Sequence, residues 1–128
     1  MLPAVNDFLT RLMAGEPIEF QDTMALINEC FDYQPTHFEN GSDDDLVVNE
    51  AGVNEGSCKI FALASLLCLD QSQTLALFGR YYREDVLGHP EGQDHRNIRS
   101  FMTHGWAGIH FKGEALLPKT PLSTVEPG

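Results

Sequence analysis

Between Asn49 and Lys59 the chain reads N-E-A-G-V-N-E-G-S-C-K. The Asn-Glu pair occurs twice, as Asn49-Glu50 and Asn54-Glu55, and a glycine follows each pair. These residue types allow two chemistries. A cysteine in the first turn of a helix meets free amides and the positive dipole end, which favour a nucleophilic thiolate. Ser57 reads as the cap that would put Cys58 in that turn, with Lys59 adding a positive charge. Glu50 and Glu55 oppose this, since nearby carboxylates raise a thiol pKa. The same carboxylates could instead hold a cation. A buried cysteine in an ordinary helix start competes with both.

Asp94-His95 offers a second centre. Asp94 suits an N-cap, and His95 in the following turn would be held toward the neutral imidazole of a general base. The pattern also suits an ordinary surface histidine, the more common case. G-S-C at a helix start is similar to the nucleophile helix of papain-like cysteine peptidases, and His95 and His104 lie downstream in the right order. The spacing to histidine is far shorter, however, and no aromatic follows Cys58. Cys58, His95 and Asp94 are thus the catalytic candidates. Glu50, Asn54, Glu55, Arg99 and Trp106 are the binding candidates: Arg99, with Arg96, is either a solvated cation or an anion clamp, and Trp106 a stacking platform or a core anchor.

For a metal, Glu50, Glu55 and His95, with Asp94, form a composite set of oxygen and imidazole ligands. No histidine pair has the spacing of three or four that places two ligands on one helical face: His89 and His95 are six apart, as are His104 and His110. The run Asp43-Asp44-Asp45 is not a calcium loop, because aligning Glu50 as the last ligand puts Asp44 where glycine is required. The sequence leaves the cofactor unknown.

The totals narrow the class. With 128 residues and 42% apolar content, one packed domain is expected. Residues 1–57 hold twelve Asp and Glu against Arg11 alone, while residues 58–128 hold seven charges of each sign. The whole net charge of −11 therefore sits in the first half. Such a surface repels nucleic acid and anionic membranes and suits basic protein partners or cations. No apolar run approaches the roughly eighteen residues of a membrane span, and the start lacks the pattern of a signal peptide. Three cysteines without C-x-x-C fit a reducing cytoplasm, with Cys30 and Cys68 as small core residues.

Helical periodicity predicts the elements that must position these residues. Val5, Phe8, Leu9 and Leu12 mark a helix from Pro3 to Ala14, stopped by Gly15. Phe20, Met24, Ile27 and Phe31 mark a second to Asp32, ended by Gln34-Pro35. Thr36–Glu39 and Leu46–Val48 read as a small hairpin around the turn 40–45. A third helix runs from Ser57 to Leu69, burying Phe61, Ala64, Leu67 and Cys68. A fourth starts at the capping box of Asp70 and Gln73 and continues through Val86. A shorter helix follows Asp94, with Ile98, Phe101 and Met102 inward and Gly105 at the exit. Residues 109–111 alternate as a last strand. The fold class is α+β: a mainly helical single domain with four to five helices and a small antiparallel sheet of two to three short strands. The domain is expected over residues 1–111, with 112–128 as an irregular tail.

Five strings carry a resemblance: Y-Q-P-T-H-F-E-N-G (33–41), N-E-A-G-V-N-E-G-S-C-K-I-F (49–61), L-A-L-F-G-R-Y-Y-R-E-D-V-L (75–87), P-E-G-Q-D-H-R-N-I-R-S-F-M (90–102) and G-W-A-G-I-H-F (105–111). Together they resemble the HopJ type III effector family of bacterial proteins over nearly the whole chain up to Phe111. The resemblance implies a protein that some bacteria inject into host cells through a type III system. It implies no catalytic activity and no active residues. Two functions follow. One is a small acidic interaction protein, in the bacterial cytoplasm or secreted, that binds a protein partner. The other is a small thiol- or metal-assisted hydrolase built from the Asn49–Cys58 segment and Asp94-His95.

Overall fold

The computed structural model of the chain describes residues 2–120. Helix α1 spans Pro3–Met13 and α2 spans Phe20–Cys30. Strand β1, Phe31–Tyr33, follows α2 directly. Strands β2, Phe38–Asn40, and β3, Val47–Asn49, form the expected hairpin, each ending one residue beyond its predicted stretch. A short 3-10 turn at Asp43–Asp45 joins them. Helix α3 covers Glu55–Leu66, α4 Gln71–Ala76 and α5 Arg96–His104. Strand β4, His110–Phe111, completes a three-stranded antiparallel sheet in the order β3-β2-β4. The chain is thus a small, mainly helical α+β domain.

The second helix ends at Cys30, so that Phe31 and Asp32, expected in it, begin β1, and two further elements differ from the sequence reading. The expected fourth helix from Asp70 to Val86 breaks at Gly79, whose φ is +63°. A side chain there would collide with the backbone of Glu19 and Phe20, so α2 approaches through a position that requires glycine. The chain resumes as a π-helical segment at Tyr81–Val86, which ends before Gly88 and Pro90. The second correction concerns the expected tail. Strand β5, Leu116–Pro118, pairs antiparallel with β1, in the register Phe31↔Pro118 and Tyr33↔Leu116. Ala115 and Leu116 are buried, and that burial orders the strand despite its proline, which sits at the end of a two-stranded edge. Residues 121–128, the rest of that stretch, lie outside the described residues.

Phe61 of α3 is the hub of the core. It is fully buried and packs against Phe38 of β2, Phe78, Phe101 of α5 and Trp106, with centroid separations of 5.9, 5.5, 4.9 and 6.4 Å. Burying one such side chain contributes about 2–3 kcal/mol. This hub fixes α3 against both the sheet and α5. Two side chains expected inward are not: Cys68 is exposed, in a left-handed conformation just after α3, and Met102 lies on the outer side of α5.

Candidate functional site

Helices α3 and α5 start side by side, and both start in an uncommon way. Their N-cap residues, Asn54 and His95, are in the left-handed conformation with φ of 55° and 50°. Neither side chain accepts a hydrogen bond from its own first turn. The helical bonds begin only at Cys58 N–H to Asn54 O and at Arg99 N–H to His95 O. The amides of Glu55, Gly56 and Ser57, and of Arg96, Asn97 and Ile98, therefore precede the first backbone bond of their helices. The expected caps do neither job: Ser57 lies inside α3, and Asp94 precedes the residue that caps α5.

Buried asparagines tie the two starts together. Asn49 and Asn97 exchange side-chain bonds, Asn49 Nδ2 to Asn97 Oδ1 at 3.0 Å and Asn97 Nδ2 to Asn49 Oδ1 at 2.9 Å. Asn54 Nδ2 donates to the same Asn49 Oδ1 at 2.8 Å. Asn40 Nδ2 donates to Asn97 O at 2.8 Å and Oδ1 at 3.0 Å. Asn40 and Asn49 are fully buried and Asn97 nearly so. One atom, Asn40 Oδ1, is buried without a partner. This chain of amides runs from the surface at Asn54 to the core at Asn40 and sets β2, β3, α3 and α5 in one frame.

The two starts open onto a cavity of about 530 Å³. Its apolar wall includes Phe20, Phe78 and Val48, and its polar wall includes Asn54, Ser57, His95 and Arg96. Gly56 lines it too, and a side chain there would strike the Phe20 ring. Arg96 makes no ion pair among the described residues, whereas Arg80 and Arg83 reach Glu19, and Arg99 reaches Asp94. At the rim, the His95 ring packs on Tyr81 at 5.2 Å, and its Nε2 meets Asp85 Oδ2 at 3.0 Å. Asp94 Oδ2 lies 3.8 Å from the same nitrogen. One ligand atom each from Asp85, Asp94 and His95 lies within 4.8 Å of the others, a set with the chemistry of a divalent-ion site. Arg99 Nη2 holds the other Asp94 oxygen at 2.6 Å and keeps that carboxyl below its ordinary pKa.

The remaining sequence candidates lie elsewhere. Cys58 is 1% exposed, is not among the cavity-lining residues, and donates its thiol to Thr36 O at 3.6 Å. Burial pushes the thiol above its ordinary pKa, and Glu55 adds to the effect. Tyr33, beside Cys58 and Glu55, has its hydroxyl buried without a hydrogen-bond partner and is likewise raised, first by burial. Glu50 faces His37, Oε2 to Nδ1 at 3.6 Å, rather than His95. Trp106 packs on Phe101 and donates Nε1–H to Leu69 O at 3.0 Å, the arrangement of a core anchor. Asn54 and His95 are thus the two sequence candidates that share the cavity, and Asp94 joins His95 at its rim. Sequence reasoning left Arg96, beside Arg99, as a solvated cation that could clamp an anion, and it missed Asp85 as the partner of His95 and the amide chain. A signal for Arg96 existed: it follows His95 with no acidic residue in the first turn of that helix.

Comparison with known proteins agrees with this architecture. The crystal structure of the unknown-function protein VPA0580 superposes with a TM-score of 0.85 at 50% sequence identity, covering 93% of this chain and 97% of that one. No curated protein matches the chain. The model of the family described as HopJ type III effector protein matches residues 5–116, which include the hairpin, the amide chain and both open helix starts. By that match, over most of its length, this chain belongs to the HopJ type III effector family.

Proposed function

We propose that the protein is a non-catalytic recognition module that docks a segment of a partner protein, holding an acidic side chain of that segment in the cavity between α3 and α5. The single observation that carries this is the convergence of two uncapped helix starts and the unpaired Arg96 on one cavity. Backbone amides at helix starts and a guanidinium stabilise a carboxylate together. A net charge of −11 repels polyanions, so the reading is of one carboxylate held locally and not of a nucleic acid. Family membership supports delivery through a type III system and a host protein as the partner. Among the described residues no helix is long and apolar enough to cross a membrane, which fits a partner met in solution.

The hydrolase reading has less support, because Cys58 is buried, raised in pKa and turned toward Thr36. A metal-dependent variant of it would rest on Asp85, Asp94 and His95. Calorimetric titration with zinc checks that variant: stoichiometric heat lost in His95→Ala supports it, and no heat ends it.

The test of the main reading is an NMR titration with N-acetylglutamate. The amides of Gly56, Ser57, Asn97 and Ile98 are expected to shift together in the wild type and to stay in place in Arg96→Glu. Uniform small shifts, or the same response in the variant, would remove the reading.

A further inference from the structure

The cavity does not end at Arg96. A second one, of about 500 Å³, shares Val47 and Arg96 with the first and adds Asp44, Asp45 and Thr103 to the lining. The two form one groove that runs along β3, an edge strand of its sheet. What that edge offers follows from the hydrogen bonds of β2. Lys112 N–H donates to His37 O, and Gly41 N–H donates to Gly108 O. His37, Glu39 and Gly41 therefore turn their backbone polar groups toward β4, and Phe38 and Asn40 turn theirs toward β3. Glu39↔Val48 is then the non-hydrogen-bonded pair of the β2–β3 ladder. Consequently Val48 directs its N–H and C=O away from β2, into the groove. Its side chain is 49% exposed.

The groove carries one unpaired charge of each sign among the described residues. Arg96 is unpaired at the junction of the two cavities, and Asp44 makes no ion pair among the described residues. Asp45, by contrast, is engaged by His104 at 2.9 Å. Unpaired backbone groups on an edge strand are satisfied by an added strand, whose alternate side chains point to one face.

We propose that the partner segment binds as an extended strand added to β3, paired through the backbone of Val48, with an acidic side chain toward Arg96 and a basic one toward Asp44. This rests on the recognition reading above and specifies its ligand: an extended peptide with opposite charges at alternate positions. A short β3 explains why the edge is safe without the partner, since three residues are a poor template for aggregation.

The experiment is selection from a displayed library of short random peptides, followed by hydrogen exchange on the complex with a selected synthetic peptide. The expected result is enrichment of an acid and a base separated by one residue, with slowed exchange of the Val48 amide by about tenfold or more. Arg96→Glu should remove the selected acid and Asp44→Lys the selected base. Methylating the peptide nitrogen that faces Val48 O should weaken binding by about tenfold, the worth of one well-formed hydrogen bond. Selected peptides that leave the Val48 amide unprotected, or that ignore both charge reversals, would overturn the strand addition. So would a concentration-dependent dimer with Val48 protected, which would assign the edge to a second copy of the chain. If no peptide is selected while N-acetylglutamate still shifts the cavity amides, this inference fails alone. If both fail, the recognition reading falls with it.

Discussion

Helices α2 and α4 begin closed, and helices α3 and α5 begin open. At α2, Glu19 N–H donates to Asp22 Oδ2 and Asp22 N–H to Glu19 O, and at α4 Asp70 and Gln73 exchange side-chain and backbone bonds in a capping box. Their first-turn donors are consumed within the helix start. At α3 and α5 the N-cap side chains point elsewhere, Asn54 to Asn49 and His95 to Asp85. Each holds a left-handed backbone that non-glycine residues adopt at some cost. The difference teaches that a helix start can serve its own helix or face outward, and that here the outward pair shares one cavity. It also separates residues that hold the fold from residues available to a ligand.

Breaking the tie between the open starts should have the largest effect on stability. Asn49→Ala leaves Asn54 and Asn97 without their shared acceptor in a buried place. A loss of about 3 kcal/mol is expected, seen as a melting temperature lower by roughly 10 °C. A loss below about 1 kcal/mol would show that the amide chain is incidental.

Alkaline pH comes next. Cys30, Cys58 and Tyr33 all have folded pKa values above their ordinary ones, with burial as the first cause. An acid raised in this way stabilises the fold fully below its unfolded pKa and loses that contribution as pH rises toward the folded one. Stability should therefore decline above the ordinary thiol value of 9.0. Cys58→Ser should flatten the early part of that decline, which chemical denaturation at stepped pH would measure. Asp94 works in the opposite sense. Its lowered pKa gives a contribution present above the ordinary carboxylate value and lost as pH falls through the folded one.

A closed start should cost less. Asp70→Ala removes the bond to Gln73 N–H and should lower stability by about 1 kcal/mol, with no change in carboxylate binding. An altered N-acetylglutamate titration in that variant would blur the contrast between the two kinds of start. Smallest of all in stability is Arg96→Glu, expected within about 0.5 kcal/mol of wild type because the side chain is exposed and unpaired. It should nonetheless abolish binding. A large stability change there would mean that Arg96 serves the fold after all.

Much of the frame was legible in the sequence. The helical stripes of α1 and α2, the hairpin of β2 and β3 and the strand at His110–Phe111 all follow from periodicity and turn residues. The capping box at Asp70 was visible because both partners lie within one turn of chain. The missed features depend on residues far apart. β5 reads as a proline-rich tail until β1 supplies its partner. The break at Gly79 reflects contact with α2, about sixty residues earlier in the chain. In the sequence Asn40 falls in a turn, Asn54 among the binding candidates and Asn97 inside a helix, and the network they form with Asn49 appears only when Asn97 meets Asn49 across 48 positions. For the same reason Asp85 could not be assigned to His95, and Glu50 was paired with the wrong histidine.

The place of Asn40 has a consequence for how this protein ages. Asn40 is followed by Gly41, the dipeptide in which the next backbone nitrogen most readily attacks the asparagine side-chain carbonyl and expels ammonia. In the folded chain that nitrogen is committed to Gly108 O, and the Asn40 amide is committed to Asn97. Neither group is free to turn toward the other. Deamidation at Asn40 should therefore proceed only while the hairpin is open, so the slow appearance of aspartate and isoaspartate there would keep a chemical record of the time each molecule has spent unfolded.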